Sequence, residues 1–143
     1  NDDRYKSLIK ASLFMDGSLE DEDLIMISNP NAGQYKKLSP SYQKLVDNHN
    51  LKSRELFEQV FPKEEKEKKL IEHHHGPQFN KNFQDFIKTG DEGTDINIFS
   101  LAQNLSQQIL KKNLDTESLK KNIKELESLY SLEMMTKSLK KLA

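Results

Sequence analysis

The fold class is decided by the stretch INIFSLAQNLSQQIL, residues 96–110. Its apolar side chains recur every three or four residues, which is the spacing of one face of an α-helix. The same spacing continues to the end of the chain, with interruptions at residues 113–116 and at Ser131. The pattern therefore predicts three antiparallel helices over residues 95–143. In the quoted stretch, the apolar residues that we expect to face a core are Ile98, Leu101, Ala102, Leu105 and Ile109.

Two polar breaks divide the remainder of the chain, at residues 29–33 and 89–94. Both contain glycine, and the first also contains proline, the residue types that most often interrupt helices. Elsewhere the helical spacing recurs, without the alternation that is typical of β-strands. We predict an all-α protein, an irregular bundle of about seven or eight short helices that ends in the antiparallel three-helix unit. The predicted parts of this single domain, residues 1–143, are an acidic N-terminal helical segment (1–28), a loop (29–38), central helices (39–88), a second loop (89–94) and the three-helix unit (95–143).

The helical spacing also predicts which side chains of the N-terminal half are buried. Ser39 can cap a central helix, and Pro40 is a favourable first residue for it. Pro62 either ends this helical run or starts a new helix. We expect this run to divide into two helices near Asn50. Residues 63–75 alternate Glu and Lys at helical spacing, which predicts a mostly solvated helix. The expected core stripe of the first helix consists of Tyr5, Leu8, Ile9 and Leu13.

Composition limits the classes of protein to which the chain can belong. The apolar residue types make up 34% of the sequence, against about 45% in an ordinary globular domain, so we expect an elongated shape or a partner that completes the core. The 22 basic and 23 acidic residues nearly balance, which argues against nucleic-acid binding. The absence of Cys excludes disulfides, zinc thiolate sites and Cys nucleophiles. Because no apolar run is long enough to span a bilayer, we expect an intracellular protein, cytoplasmic or nuclear.

Three consecutive histidines, residues 73–75, invite a metal hypothesis, and His49 adds a fourth imidazole elsewhere. On a helix, consecutive residues point about 100° apart, so these three imidazoles cannot converge on one ion unless the helix unwinds. Glu72 and His75 share a face, but two ligands do not complete a site. We therefore predict no metal ligands and no cofactor, and interpret the histidines as a polar helix end, where they are favoured by the helix dipole.

Recognisable catalytic motifs are absent from the sequence, which has no Gly-rich phosphate loop and no G-x-S-x-G elbow. Residues 16–23 hold five carboxylates in eight positions and invite a calcium hypothesis. An EF-hand needs Gly at its sixth position, however, and counting from Asp16 this position is Asp21. We interpret these acids as stabilising a helix start, and we predict no catalytic residues and no enzymatic activity.

Two apolar surfaces are candidates for binding a protein partner. Residues 20–27, EDEDLIMI, resemble a SUMO-interacting motif, which implies that the tetrad adds a strand to the sheet edge of a partner. The alternative is that the tetrad packs into the core of this chain. The last helix is the second candidate, unless it closes the three-helix unit itself. The predicted partner-binding residues are Leu24, Ile25, Met26 and Ile27 in the tetrad, and Leu132, Met135, Leu139 and Leu142 in the last helix.

Low hydrophobicity, helical periodicity and the lack of site motifs together favour a non-enzymatic protein interaction module, an adaptor or a subunit of a larger intracellular complex. Its partner would dock by a helix in a groove, or would be a second copy of the chain. Two alternatives stay open. One is an exported, ligand-binding helical surface lipoprotein of an A/T-rich bacterium, and the other is a small metal-dependent or hydrolytic enzyme.

Overall fold

The computed structural model describes residues 2–27, 33–76, 83, 90–111, 121 and 124. Of the residues it describes, 78% are helical and none lies in a strand, so the predicted all-α class is confirmed. Six helices are present in these ranges, fewer than the seven or eight predicted, and the C-terminal three-helix unit is not shown. The helices are α1 (Asp2–Phe14), α2 (Glu22–Ile25), α3 (Gly33–Lys36), α4 (Pro40–Val60), α5 (Glu65–Glu72) and α6 (Gly90–Lys111).

The chain divides into two compact units, residues 1–74 and residues 75–143. In the N-terminal unit, α1 and α4 both pack against α5, and α2 packs against α4. The short helix α3 lies within the segment predicted to be a loop, residues 29–38. These packed helices are the framework that carries the candidate site.

Helix α4 is the central element of the N-terminal unit. The Ser39 hydroxyl accepts a hydrogen bond from the backbone N–H of Tyr42, and Pro40 occupies the first turn, as the sequence predicts. The predicted division near Asn50 is wrong, because α4 runs without interruption over 21 residues. The Asn50 side chain does not compete for the backbone of its own helix; its amide donates to the carbonyl of Glu72 at the end of α5.

The core of the N-terminal unit is small and partly aromatic. Ala11 of α1 is fully buried, and a side chain of that size permits close packing between helices. Phe57 of α4 meets Phe14 edge to face at 5.2 Å between ring centroids, and Phe61 lies 5.0 Å from Phe57. The fully buried aliphatic side chains of α5 are Leu70 and Ile71.

The predicted core stripe of α1 is largely exposed. Tyr5, Ile9 and Leu13 retain 61%, 60% and 74% of their accessible surface, and only Leu8 of the predicted set is half-buried. The face of α1 that packs against α5 contains the small residue Ala11 and not the larger apolar side chains of the predicted stripe. A row of large apolar side chains therefore covers the outer face of α1.

Helix α5 is more buried than the predicted solvated helix. Lys68 is inaccessible along its stem and head, and its ammonium contacts Glu58 at 2.9 Å, Glu65 at 2.7 Å and the carbonyl of Pro62 at 2.8 Å. These three acceptors replace the water that the ammonium loses on burial. The Lys68 pKa is raised, mainly because Glu65 and Glu58 accept hydrogen bonds from the ammonium.

In the C-terminal unit, α6 begins at Gly90, within the segment predicted to be the second loop, and not after Asp95. Its buried face includes Ile96 and Phe99, together with a polar row. The predicted stripe lies beside this face: Leu101 and Leu105 are half-buried, and Ala102 is exposed. The buried polar residues of α6 are Asp95, Asn97, Ser100, Asn104 and Gln107. Within the described ranges, no helix combines the length and the apolar character that a bilayer crossing requires.

Candidate metal centre

The first residue of the candidate site, Asp16, lies in the tight turn that follows α1. The turn is closed by backbone hydrogen bonds from Gly17 to the carbonyl of Phe14 and from Leu19 to the carbonyl of Asp16. Glycine fits position 17 closely, since a Cβ there would lie 3.2 Å from the Phe14 carbonyl oxygen. The turn directs the Asp16 carboxylate toward α4, where 12% of the side chain is exposed.

His49, the second residue, is held on the buried face of α4. Its Nδ1 contacts the carbonyl oxygen of Val46, one turn earlier on the same helix, at 2.5 Å. A carbonyl oxygen can only accept a hydrogen bond, so Nδ1 carries a proton. When the imidazole is neutral, Nε2 is therefore the atom with the lone pair, and it is the atom that faces Asp16.

His74 repeats this arrangement in the turn after α5. Its Nδ1 donates to the carbonyl of Ile71 at 2.6 Å, so its Nε2 also carries the lone pair in the neutral ring. The side chain is fully buried. Two imidazoles from different elements are thus fixed in the same tautomer by backbone carbonyls, the kind of outer contact that metal-binding histidines almost always make.

The three donor atoms form a nearly equilateral triangle. The Nε2 atoms of His49 and His74 lie 3.2 Å apart, and each lies 3.4 Å from Oδ1 of Asp16. The two rings are nearly perpendicular, at 74°, in an edge-to-face arrangement. Oδ1 of Asp16 makes no hydrogen bond to a protein group in this arrangement.

The carboxylate of Asp16 is negatively charged in this setting. Burial alone would raise its pKa, but hydrogen bonds and positive charge from the imidazoles of His49 and His74, in their protonated form, outweigh burial and hold the pKa well below its usual range. Three potential electron-pair donors therefore face one another, and one of them carries a full negative charge. Such a group is stabilised by a cation at its centre, either a proton on one imidazole or a metal ion.

The size of the triangle matches tetrahedral coordination. For bonds of about 2.0–2.1 Å to nitrogen or oxygen, the ligand atoms of a tetrahedral zinc ion lie about 3.3–3.4 Å apart. An octahedral ion with bonds of about 2.1 Å would need adjacent ligand atoms about 3.0 Å apart. The observed distances of 3.2, 3.4 and 3.4 Å are closer to the first arrangement.

The conformation and burial of the histidine run, residues 73–75, differ from those that the sequence pattern predicts. The segment 73–75 is a turn and not a helix, and His73, His74 and His75 are buried, where a polar helix end was expected. His74 converges with two residues that are distant in the sequence, Asp16 and His49. His75 follows directly in the chain and belongs to the C-terminal unit.

The predicted partner-binding residues fall into two groups. In the tetrad, Leu24 and Ile27 are buried and Ile25 and Met26 are half-buried, so the tetrad is not presented as an extended strand. Helix α2 includes the first two of these residues. The second group, Leu132, Met135, Leu139 and Leu142, lies outside the described residues.

Sequence reasoning missed the convergence of Asp16, His49 and His74 because no local spacing encodes it. The three residues come from three segments: Asp16 from the acidic run 16–23, His49 from a central helix and His74 from the histidine run. A histidine at a buried helical position, such as His49 one turn after Val46, is the one available signal.

No protein family model, no curated protein and no solved structure matches this chain.

Proposed function

We propose that the N-terminal unit binds one divalent transition-metal ion of the zinc class through Asp16, His49 and His74. The observation that carries this proposal is the triangle of 3.2, 3.4 and 3.4 Å between Nε2, Nε2 and Oδ1. Imidazole and carboxylate donors, without thiolate, suit zinc and its neighbours in the first transition row. Calcium and magnesium prefer oxygen ligands alone, which this set does not provide.

The proposed role of the ion is structural. His49 and His74 are almost completely inaccessible, whereas a catalytic ion needs an open coordination position that a substrate can reach. The three ligands belong to the turn after α1, to α4 and to the turn after α5, so one ion would join three segments that are distant in sequence. Metal binding of this kind contributes directly to the free energy of folding.

The direct test is a titration of the full-length protein with Zn²⁺ and Co²⁺ after removal of metal with a chelator. We expect one ion per chain, and visible Co²⁺ absorption of the intensity typical of tetrahedral coordination. Replacing His74→Gln, His49→Gln or Asp16→Asn is expected to weaken binding by more than about 100-fold, the upper end of what the loss of an outer-shell contact costs.

The matched control is Glu20→Gln, which removes an exposed carboxylate four residues from Asp16. This variant should bind metal as the wild type does. Absence of stoichiometric binding by the wild type, together with a protonated imidazole detected by NMR at neutral pH, would show that a proton and not a metal stabilises the cluster.

A second candidate function, an intracellular protein interaction module, is favoured by the outer face of α1. Tyr5, Ile9 and Leu13 form an exposed apolar row on this face, and exposed apolar patches often mark protein-binding surfaces. The proposed partner is an apolar groove or a second copy of the chain. We expect Ile9→Glu to abolish self-association or partner capture in light scattering and cross-linking, while Lys6→Glu on the same helix does not. An unchanged mass and unchanged cross-linking in Ile9→Glu would remove this candidate.

A further inference from the structure

Two residues of α4 stand beside His49 and hold the segments that carry the other two ligands. Ser53 lies one turn after His49 and contacts the turn of Asp16, and Asn50 follows His49 directly and contacts the end of α5. We infer that Asn50 and Ser53 are positioning residues that preorganise the metal site, α4 being the platform on which all three ligands are aligned. This inference rests on the proposed metal binding.

Three hydrogen bonds join α4 to the Asp16 turn, and Ser53 makes two of them. The Ser53 hydroxyl accepts from the backbone N–H of Ser18 at 3.1 Å and donates to the Ser18 hydroxyl at 3.1 Å. The Ser18 hydroxyl in turn donates to the carbonyl of His49 at 2.9 Å. Ser18 is two residues from Asp16, so these bonds fix the distance between the carboxylate and the backbone of the first histidine.

Asn50 makes the corresponding contact on the other side. Its Nδ2 donates to the carbonyl of Glu72 at 2.8 Å, two residues before His74. Glu72 ends α5, where carbonyl groups have no partner within the helix, so the amide supplies a hydrogen bond that the helix end lacks. The turn that carries His74 therefore begins at a point tied to α4.

The positions of His49, Asn50 and Ser53 along α4 allow one turn of helix to contact both of the other ligand segments. His49 and Ser53 are four residues apart and lie on the same face, separated by about 6 Å along the helix axis. Because one rigid turn of helix supplies a ligand and both outer contacts, small shifts of the two turns are suppressed. Ligand groups held in this way need less reorganisation when the ion binds, and loss of such outer contacts typically weakens metal binding 10–100-fold.

If Asn50 and Ser53 only stabilise the fold, their variants should give a different result. In that case the variants Ser53→Ala and Asn50→Ala would lower the stability of the metal-free protein but leave the affinity of the folded protein for zinc unchanged. The stability control is Phe57→Leu, which alters the core eight residues, about 12 Å, beyond His49 along α4. The position control is Lys52→Ala, which changes an exposed residue of α4 between Asn50 and Ser53.

The experiment measures the zinc dissociation constant of the full-length protein by chelator competition, at a temperature where circular dichroism shows each metal-free variant to be folded. We expect Ser53→Ala and Asn50→Ala to weaken binding about 10–100-fold and to broaden the Co²⁺ spectrum. Phe57→Leu and Lys52→Ala should stay within about threefold of the wild type. If Ser53→Ala does not fold, Ser18→Ala, at a half-buried position, removes part of the same contact and should also weaken binding.

The outcomes separate this inference from the proposal on which it rests. Wild-type affinity in folded Ser53→Ala and Asn50→Ala overturns the positioning role and leaves metal binding intact. Equal weakening in the stability control also overturns it, because the effect would then come from stability alone. A wild type that binds no zinc overturns the proposed function itself.

Discussion

His49 and His74 are separated by 25 residues in the sequence, and their Nε2 atoms lie 3.2 Å apart. Each ring is oriented by a hydrogen bond from Nδ1 to a backbone carbonyl three residues earlier. Because the same hydrogen bond orients both rings, the Nε2 atom of each ring is directed at the other ring and at Asp16. The pair is therefore arranged by local backbone geometry, and brought together by the packing of α4 on α5.

The first prediction concerns thermal stability. Zinc at a free concentration of 100 times its dissociation constant is expected to stabilise the folded protein by about 2.7 kcal/mol, because it binds the folded state alone. For a unit of this size that corresponds to a rise in Tm of about 10 °C or more. The measurement is circular dichroism during heating, with and without Zn²⁺.

The rise in Tm with Zn²⁺ should disappear when EDTA is added and should be absent in His74→Gln. Mg²⁺ at the same concentration serves as the control ion and should leave Tm unchanged, since the imidazole donors do not suit it. An equal rise in Tm for His74→Gln would show that zinc acts elsewhere on the chain.

Local signals in the sequence predicted local features of the fold. Ser39 and Pro40 mark the start of α4, because a capping hydroxyl and a fixed φ act within a few residues. Helical periodicity likewise sufficed for the all-α class. These features require no knowledge of what packs against a helix.

The buried faces were harder to predict, because they depend on neighbouring elements. On α1, the small Ala11 is buried and the larger Ile9 is exposed. Lys68 is inaccessible because two carboxylates and a carbonyl surround its ammonium, a combination that spacing within α5 does not reveal. The convergence of Asp16 and His49 has the same cause, since these residues meet only after α1 and α4 have packed.

The second prediction compares two adjacent residues of α4. Phe57 is fully buried against Phe14, and Leu56 is 41% exposed. We expect Phe57→Ala to lower the free energy of unfolding by about 3–5 kcal/mol, because it leaves a cavity, and Leu56→Ala to lower it by less than about 1 kcal/mol. Urea denaturation followed by tyrosine fluorescence measures both. Equal losses would mean that α4 packs through a different face.

The third prediction addresses the tetrad of residues 24–27. Because Leu24 and Ile27 are buried, each change to Ala is expected to lower the free energy of unfolding by about 2 kcal/mol or more. Met26→Ala, at a half-buried position, should cost less. The measurement is urea denaturation of the three variants. Wild-type stability in all of them, combined with lost binding to a SUMO-type partner, would instead support the partner-binding hypothesis for this tetrad.

The fourth prediction concerns Tyr35 and its pH dependence. The Tyr35 hydroxyl donates to the Asp47 carboxylate at 2.7 Å, and this hydrogen bond, with smaller contributions from burial and charge, raises the pKa of Tyr35 to about 12. Because the folded pKa is above the unfolded one, the contact stabilises the fold fully below about pH 10 and loses its effect as the pH rises through about 12.

Ultraviolet absorbance of tyrosinate, followed across this range, should show one of the four tyrosines titrating later than an ordinary tyrosine. In Asp47→Asn the negative charge is removed, so the late transition should move toward about pH 10. Asp23→Asn, at an exposed position on α2, is the control and should leave the curve unchanged. Superimposable curves for the wild type and Asp47→Asn would contradict the contact between α3 and α4, because a hydroxyl that meets no carboxylate has no reason to retain its proton beyond its ordinary pKa.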